Sequence, residues 1–130
     1  MSEFDNTDDT IIKNDANEEI SSWDDLPDVK PELLRGIYSY GFENPSPIQQ
    51  KGIIPLFNKN DVIAQAQSGT GKTGCFTIGT LQLIDTDVKS TQAIVISPTR
   101  ELSIQTKKVF DSIGGMMKGL TTYLLIGGTS

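Results

Sequence analysis

The amino-acid sequence predicts an α/β domain built on a parallel β-sheet with flanking helices. Three short apolar runs have the length of buried strands, Asp61–Gln65, Ala93–Ser97 and Thr121–Ile126. The segments between them carry apolar residues at helical spacing, and a glycine-rich stretch, Ala66–Thr73, joins the first run to the next helix. Because each helix connects two successive strands as a crossover, the strands are expected to lie parallel in one sheet.

The glycine-rich stretch reads AQSGTGKT and matches the phosphate-binding P-loop pattern G-x-x-x-x-G-K-[ST], except that Ala66 replaces the first glycine. Gly69 and Gly71 can adopt backbone angles that a Cβ forbids, which lets a loop turn its N–H groups toward an anion. Lys72 is predicted to reach the β- and γ-phosphates of a nucleotide, and the Thr73 hydroxyl to ligate Mg²⁺. The alternative, a plain glycine-rich turn before a core helix, is disfavoured by the strand–loop–helix context.

Two helices are predicted before the first strand. The first begins at Pro31, with Asp28 as its cap, and ends at Gly41. The second opens with the serine–proline pair at 46–47, and Pro55 either kinks it or ends it early.

Two more helices are predicted after the P-loop. One is expected at about Lys72–Asp85, and another follows the turn Pro98–Glu101 and ends at Gly114. The apolar face of the latter is expected to consist of Leu102, Thr106, Val109, Phe110 and Ile113.

Length and composition suit one domain with a modest core, since the chain has 130 residues and an ordinary apolar fraction. The acidic and polar N-terminus lacks the form of a signal peptide, and no apolar run approaches the ~20 residues of a membrane span. We therefore expect no membrane partner. The single cysteine, Cys75, excludes an internal disulfide and favours a reducing compartment.

The charge is distributed unevenly along the chain. Residues 1–28 contain ten acidic residues and one lysine, a net charge of −9, whereas residues 29–130 contain seven acidic residues against ten Lys and Arg, a net charge of +3. We predict a disordered acidic tail over residues 1–22 and a folded domain over residues 23–130. The net charge of the domain is compatible with binding a polyanion but is too small to indicate one by itself.

Several stretches together resemble the first RecA-like domain of DEAD-box ATP-dependent RNA helicases. The resemblance covers about residues 20–130, with the motifs in family order and at family spacing, and is greatest to the eukaryotic initiation factor 4A branch. That family also tolerates alanine at the position of Ala66. The stretches that carry the resemblance are Leu33–Tyr38, Tyr40–Gln50, Ala64–Gly74, Pro98–Leu102 and Ile126–Thr129.

The resemblance implies an ATP site made of a Q motif, residues 21–49, and the P-loop, residues 66–73. In the Q motif, Gln49 would hydrogen-bond the adenine edge, since an amide offers a donor and an acceptor together. Phe42 would stack on the base, and Trp23 stands where the family has a phenylalanine; the alternative for Trp23 is a packed core aromatic. The P-loop residues implied to bind ATP are Ala66, Gln67, Ser68, Gly69, Thr70, Gly71, Lys72 and Thr73, the last two in catalytic roles.

The resemblance also implies contacts to RNA. Pro98, Thr99 and Arg100 lie in a motif that contacts the sugar–phosphate backbone, and Gly127 and Gly128 lie in one where bare backbone lets RNA approach. Such contacts do not select sequence, so we expect sequence-independent binding to single-stranded RNA. The family often has alanine where this chain has serine at 103.

The family's Asp-Glu-Ala-Asp motif and second RecA-like domain are not found in the 130 residues. The sequence is therefore interpreted as the N-terminal portion of a helicase, and by itself it is expected to show little or no ATP turnover and no unwinding. Protein partners from translation initiation or exon-junction assembly are expected, in the cytoplasm or alternatively the nucleus. Two alternatives stay open, a non-catalytic nucleotide- or partner-binding module and a different P-loop class such as a kinase or GTPase.

Overall fold

A computed structural model describes residues 4–5, 10–13 and 18–128 of the chain. It contains four helices. None of the helices in these ranges is long and apolar enough to cross a membrane. Three short strands form one sheet, and a single 3-10 turn covers Trp23–Asp25. In chain order the elements are β1 (Phe4–Asp5), β2 (Thr10–Lys13), α1 (Pro31–Tyr40), α2 (Pro47–Phe57), β3 (Ile63–Gln65), α3 (Lys72–Leu83) and α4 (Arg100–Ile113).

The core lies where the four helices meet. Its fully buried side chains include Leu33 and Ile37 of α1, Ile53 of α2 and Ile78 of α3. Helices α1 and α4 approach very closely, because a Cβ built at Gly36 would lie 1.8 Å from the backbone carbonyl oxygen of Ile113. The contact therefore requires a glycine, and it holds α4 against α1.

The predicted helices are confirmed, with corrections at their ends. Helix α1 begins at Pro31 and stops at Gly41, which has φ 103°. Its N-cap is Lys30 rather than Asp28, and Lys30 makes no side-chain cap hydrogen bond. The Lys30 N–H donates to the Gln82 side-chain oxygen at 3.0 Å. Pro55 does not end α2 early, because the helix runs two residues further before it stops.

The predicted parallel sheet is not what the described residues form. Their one sheet has the order β1–β2–β3 with antiparallel pairing throughout, and Ile11, Ile12 and Lys13 pair with Gln65, Ala64 and Ile63. The first predicted strand is confirmed as β3, whereas Ala93–Ser97 and Thr121–Ile126 are not strands.

The two runs that were wrongly predicted as strands are exposed instead of buried. Ile94 and Ile96 are 80% and 89% exposed, and Tyr123 and Leu125 are 74% and 76% exposed. An apolar run can be a buried strand only if a neighbouring strand accepts its backbone hydrogen bonds and other layers cover both faces. No such neighbour is present in the described part of the chain, which is the physical reason for the difference.

The stretch predicted to be disordered, residues 1–22, contains backbone that the structure describes. Its backbone forms β1 and β2, and Ile20 is buried with its N–H donating to the Gln50 carbonyl at 3.1 Å. Within the β-favouring sequence Thr-Ile-Ile at 10–12, Ile11 and Ile12 pair with β3.

Candidate functional site: a nucleotide-binding loop and its Q motif

The P-loop connects β3 to α3 with the predicted glycine geometry. Gly69 has φ 80° and Gly71 has φ 94°, angles that side chains other than glycine rarely adopt, so this prediction is confirmed. Gly71 is the N-cap of α3 and supplies no side chain to cap the helix. The helix start, with its exposed Lys72, is therefore left to interact with an anion.

Ala66 takes the place of a glycine without strain. Its side chain is 8% exposed, and within the described ranges the non-glycine residues with positive φ are Asp28 and Lys59 only. Position 66 thus needs no glycine for its backbone, and the residue is buried. Further along, the Thr70 hydroxyl donates to the Gln67 carbonyl and closes the loop on itself, while Gln67 and Ser68 are exposed.

Gln49 joins the Q motif to the P-loop. It is only 2% exposed; its side-chain oxygen accepts the Ser46 N–H at 2.9 Å, and its Nε2 donates to the Gly71 carbonyl at 3.2 Å. An amide nitrogen carries two hydrogens and an amide oxygen two lone pairs, so one donor and one acceptor position remain beyond these bonds. The structure therefore brings the two motifs together through residues that lie 22 positions apart in the sequence.

An aromatic cluster lies beside Gln49. Phe42 is half-buried; the Trp23 ring stacks on it with a centroid distance of 6.0 Å, and the Tyr40 ring meets it edge-on at 4.8 Å. Trp23 is completely buried, so it packs behind Phe42 in the core. The contact of Tyr40 with Phe42 was not predicted from the sequence. The position of Tyr40, an aromatic residue two positions before Phe42, could have suggested it.

Gly74 is a second residue that the sequence reasoning missed. A Cβ at this position would lie 2.9 Å both from the Gln49 Nε2 and from the Phe42 ring. The missing side chain lets the two predicted base-contacting groups pack against the first turn of α3. The next residue, Cys75, is 4% exposed, and burial raises the pKa of its thiol to about 12, which indicates a packing residue and not a nucleophile.

The five residues predicted to contact RNA form one exposed patch. The Arg100 guanidinium donates to the Gly127 carbonyl at 2.9 Å, which places the Pro98–Arg100 turn next to Gly127 and Gly128. Thr99 caps α4, since its hydroxyl oxygen accepts the Leu102 N–H at 3.1 Å. The hydroxyl hydrogen of Thr99 remains available as a donor, and the N-terminal end of α4 faces the same patch.

The described ranges contain no cluster of three or more His, Cys, Asp or Glu side chains that could hold a metal ion by themselves. Of the predicted metal contacts, Thr73 lies half-buried in the first turn of α3. A cation at this site would have to take most of its ligands from a bound nucleotide and from water.

Three features place the described residues in the class of P-loop nucleotide-binding domains. They are a loop with two left-handed glycines, a Lys-Thr pair at the start of the next helix, and an adjacent glutamine–phenylalanine pair. Within that class, residues 46–130 match the family model described as DEAD/DEAH box helicase. The chain belongs to this family, and the resemblance predicted from the sequence is confirmed.

Individual relatives agree with the family match. The chain is 50% identical over 125 residues to the ATP-dependent RNA helicase eIF4A of Schizosaccharomyces pombe, a match covering 96% of this chain and 31% of that protein. It thus spans about a third of the length of the curated relatives that it matches.

Solved structures support the RecA-like helicase fold. Saccharomyces cerevisiae Dbp5 bound to RNA and ADP BeF3 is 42% identical, with a TM-score of 0.68 over 76% of this chain and 26% of the other. The RNA-helicase Prp28 from Chaetomium thermophilum bound to ADP is 24% identical, with a TM-score of 0.75 over 93% of this chain and 30% of the other, and shows the fold alone.

Proposed function

We propose that this chain is the ATP-binding portion of a DEAD-box RNA helicase. The observation that carries the proposal is the hydrogen bond from Gln49 to the Gly71 carbonyl, because it connects a buried amide to the loop that would hold phosphates. A P-loop domain that binds phosphate alone has no need of such an amide at this place. The link supports a site that reads a base and grips its phosphates as one unit.

Adenine is the base that the site fits best. Gln49 retains one donor and one acceptor position beyond its bonds to Ser46 and Gly71, which suits the paired acceptor and donor on the adenine edge. Phe42 offers a half-exposed ring for stacking, held in place by Trp23 behind it. Guanine presents a different pattern of donors and acceptors, so GTP should compete poorly.

The phosphates and Mg²⁺ would be held at the start of α3. Lys72 would reach the phosphate oxygens, the Thr73 hydroxyl would ligate the cation, and the open turn at Gly69 leaves room for the loop N–H groups to face an anion. When bound, Mg²⁺ neutralises charge on the phosphate oxygens.

RNA is the proposed second ligand, at the exposed patch of Arg100 and Gly127. The patch offers a guanidinium, a hydroxyl and uncovered backbone, which are groups that contact phosphates and sugars without reading bases. The related Dbp5 has been solved bound to RNA and ADP BeF3, which supports the same ligand class here. Salt-sensitive, sequence-independent binding is expected.

For the whole enzyme we propose ATP-dependent RNA unwinding in translation initiation, with initiation or exon-junction proteins as partners, in the cytoplasm or else the nucleus. For the 130-residue chain we propose little or no hydrolysis. A P-loop ATPase needs an acidic group after a later strand, and here Ile96 leads to Ser97-Pro98 and Ile126 to Gly127-Gly128.

The test is nucleotide binding by the 130-residue chain, measured with fluorescent ATP and ADP and with GTP as competitor. Lys72→Ala and Gln49→Ala should each weaken binding by about tenfold or more, the loss of one charge-assisted or buried hydrogen bond. The matched controls are Lys108→Ala and Gln105→Ala on the exposed side of α4, which should leave binding unchanged. Circular dichroism checks that each variant is folded.

Three results would decide against the proposal. Equal competition by GTP would remove the adenine assignment and favour another P-loop class. Unchanged binding in Lys72→Ala would remove the phosphate site. A folded chain that binds no nucleotide would favour the non-catalytic partner-binding module.

A further inference from the structure

Phe42 follows α1 through a sharp turn that brings it back against the end of that helix. Helix α1 ends at Tyr40, and Gly41 has φ 103°, the left-handed angle at which a chain commonly leaves a helix. The Tyr40 and Phe42 rings, on either side of that glycine, lie 4.8 Å apart between centroids and at 67° to each other. The turn therefore produces an edge-to-face ring pair, an arrangement that aromatic side chains favour.

The neighbours of Phe42 differ in their exposure to solvent. Trp23, which stacks on Phe42 with an angle of 27° between the rings, is completely buried. Gly74 is also buried, and a Cβ there would lie 2.9 Å from the Phe42 ring. Tyr40, by contrast, is 42% exposed. Of these three neighbours, Tyr40 is thus the one that reaches the solvent from which a nucleotide would enter.

A stacked neighbour and an edge-on neighbour constrain a ring in different ways. The nearly parallel Trp23 ring limits the tilt of Phe42 but lets it slide in its own plane, whereas the steeply inclined Tyr40 ring blocks that sliding. A ring already held in one orientation loses less freedom when a base stacks on it.

We propose that Tyr40 is a positioning residue of the nucleotide site, which holds the Phe42 ring in the orientation that stacks on the base. The inference rests on the proposed function, since it presumes that Phe42 contacts a base. It adds to that function a residue that acts through another side chain and is tested separately from the phosphate-binding loop.

Tyr38 offers a matched control for Tyr40. It lies in the same helix, is 43% exposed, and uses its hydroxyl to donate to the Asp24 carboxylate at 2.9 Å. Tyr40→Leu should weaken ATP binding by the 130-residue chain by about threefold to tenfold, the effect of losing one aromatic pair. Tyr40→Phe keeps the ring edge and should stay within about twofold of the wild type, as should Tyr38→Leu.

Two further measurements separate positioning from a general loss of structure. Inorganic tripolyphosphate has no base, so its affinity, measured by calorimetry, should be the same for Tyr40→Leu and the wild type. In a Phe42→Leu background, Tyr40→Leu should weaken ATP binding by less than about twofold, because the ring that it positions is gone. Tyr40→Met removes the ring with a second good helix former, and circular dichroism checks that each variant is folded.

The outcomes distinguish this inference from the proposed function. If the wild type binds ATP and Tyr40→Leu binds it equally well, the inference is wrong and the proposed function stands. A gain in ATP affinity would mean that Tyr40 covers the face on which the base stacks, which also overturns the inference.

Three results would make Tyr40 a structural residue only: equal losses of ATP and tripolyphosphate affinity, an undiminished effect in the Phe42→Leu background, or unfolding of both Tyr40→Leu and Tyr40→Met. If the wild type binds neither ATP nor tripolyphosphate, the proposed function and the inference fail together.

Discussion

The nucleotide-site region, Phe42–Leu83, and the later apolar runs, Ala93–Ser97 and Thr121–Ile126, both resemble parts of an α/β sheet domain in sequence, yet they differ in the structure. In the first region Gln49 and Ile78 are buried, and the loop is tied to the Q motif. In the later runs the isoleucines at 94 and 96 face solvent. The difference shows that hydrophobic sequence is stabilising only where a partner surface is present to cover it.

The largest expected effect compares an isoleucine from each region. Ile78→Ala should lower the free energy of unfolding by about 3 kcal/mol, since Ile78 is fully buried and its truncation leaves a cavity. Ile96→Ala should change it by no more than about 0.5 kcal/mol, because the side chain is 89% exposed. Urea denaturation of both variants measures the contrast. If Ile96→Ala lowers the free energy of unfolding by about 2 kcal/mol or more, Ile96 is buried in solution. The contrast between the buried Ile78 and the exposed Ile96 would then be wrong.

A second prediction concerns the helix contact that supports the site. Gly36→Ala should destabilise the chain by about 2–3 kcal/mol, because the new methyl group would overlap the Ile113 carbonyl and push α1 and α4 apart. The control is Ser39→Ala on the exposed side of α1, which should be neutral or slightly stabilising. A Gly36→Ala protein as stable as the control would mean that α4 does not pack on α1 in the way described.

The sequence predicted most reliably what depends on neighbours along the chain. The helix starts at Pro31 and Pro47, the stop at Gly41 and the left-handed glycines of the P-loop all follow from backbone geometry within a few residues. Their prediction needed no knowledge of the rest of the molecule.

What the sequence did not predict depends on contacts between distant residues. An apolar run such as Ala93–Ser97 indicates only that its burial would be favourable. It does not indicate whether another strand is available to pair with it. The pairing of Ile11, Ile12 and Lys13 with β3 likewise joins residues more than thirty positions apart, as does the close approach of Gly74 to Phe42. The family resemblance implied that Gln49 and the P-loop bind the same ATP, but the hydrogen bond from Gln49 to Gly71 was not predicted, since spacing alone does not place an amide against a loop.

A third prediction uses two glycines of the P-loop as a matched pair. Both have positive φ, but a Cβ at Gly71 would lie 2.5 Å from the Gln49 Nε2, whereas a Cβ at Gly69 would meet nothing within 4 Å. Gly69→Ala should therefore cost only the backbone strain, about 1 kcal/mol, and Gly71→Ala about 2 kcal/mol or more, with a larger loss of nucleotide affinity. Thermal melts and ATP titrations of both variants test the order. Equal losses of stability and ATP affinity in the two variants would show that Gln49 does not pack closely against Gly71.

The smallest expected effect concerns Asp111, which ties the second exposed run to α4. Its carboxylate accepts hydrogen bonds from Lys107 and from the Thr122 hydroxyl. Burial alone would raise the pKa of Asp111, but the hydrogen bonds from Lys107 and Thr122 outweigh it and leave the pKa below its usual value. A lowered folded-state pKa means that the stabilisation is present above the ordinary aspartate pKa of about 3.9 and disappears as the pH falls through the folded-state value.

Asp111→Asn should accordingly cost less than about 1 kcal/mol at neutral pH, as expected for a solvent-exposed pair, and nothing at a pH well below the aspartate range. The measurement is the urea midpoint of the wild type and the variant at pH 7 and near pH 2, with Asp87→Asn, an exposed acid in a loop, as the control. If the urea midpoints of the two proteins differ as much at low pH as at neutral pH, the destabilisation does not come from the charge of Asp111. If they differ at neither pH, the Asp111 carboxylate does not hold Thr121–Ile126 against α4. The two regions would then differ only in how far their apolar side chains are buried.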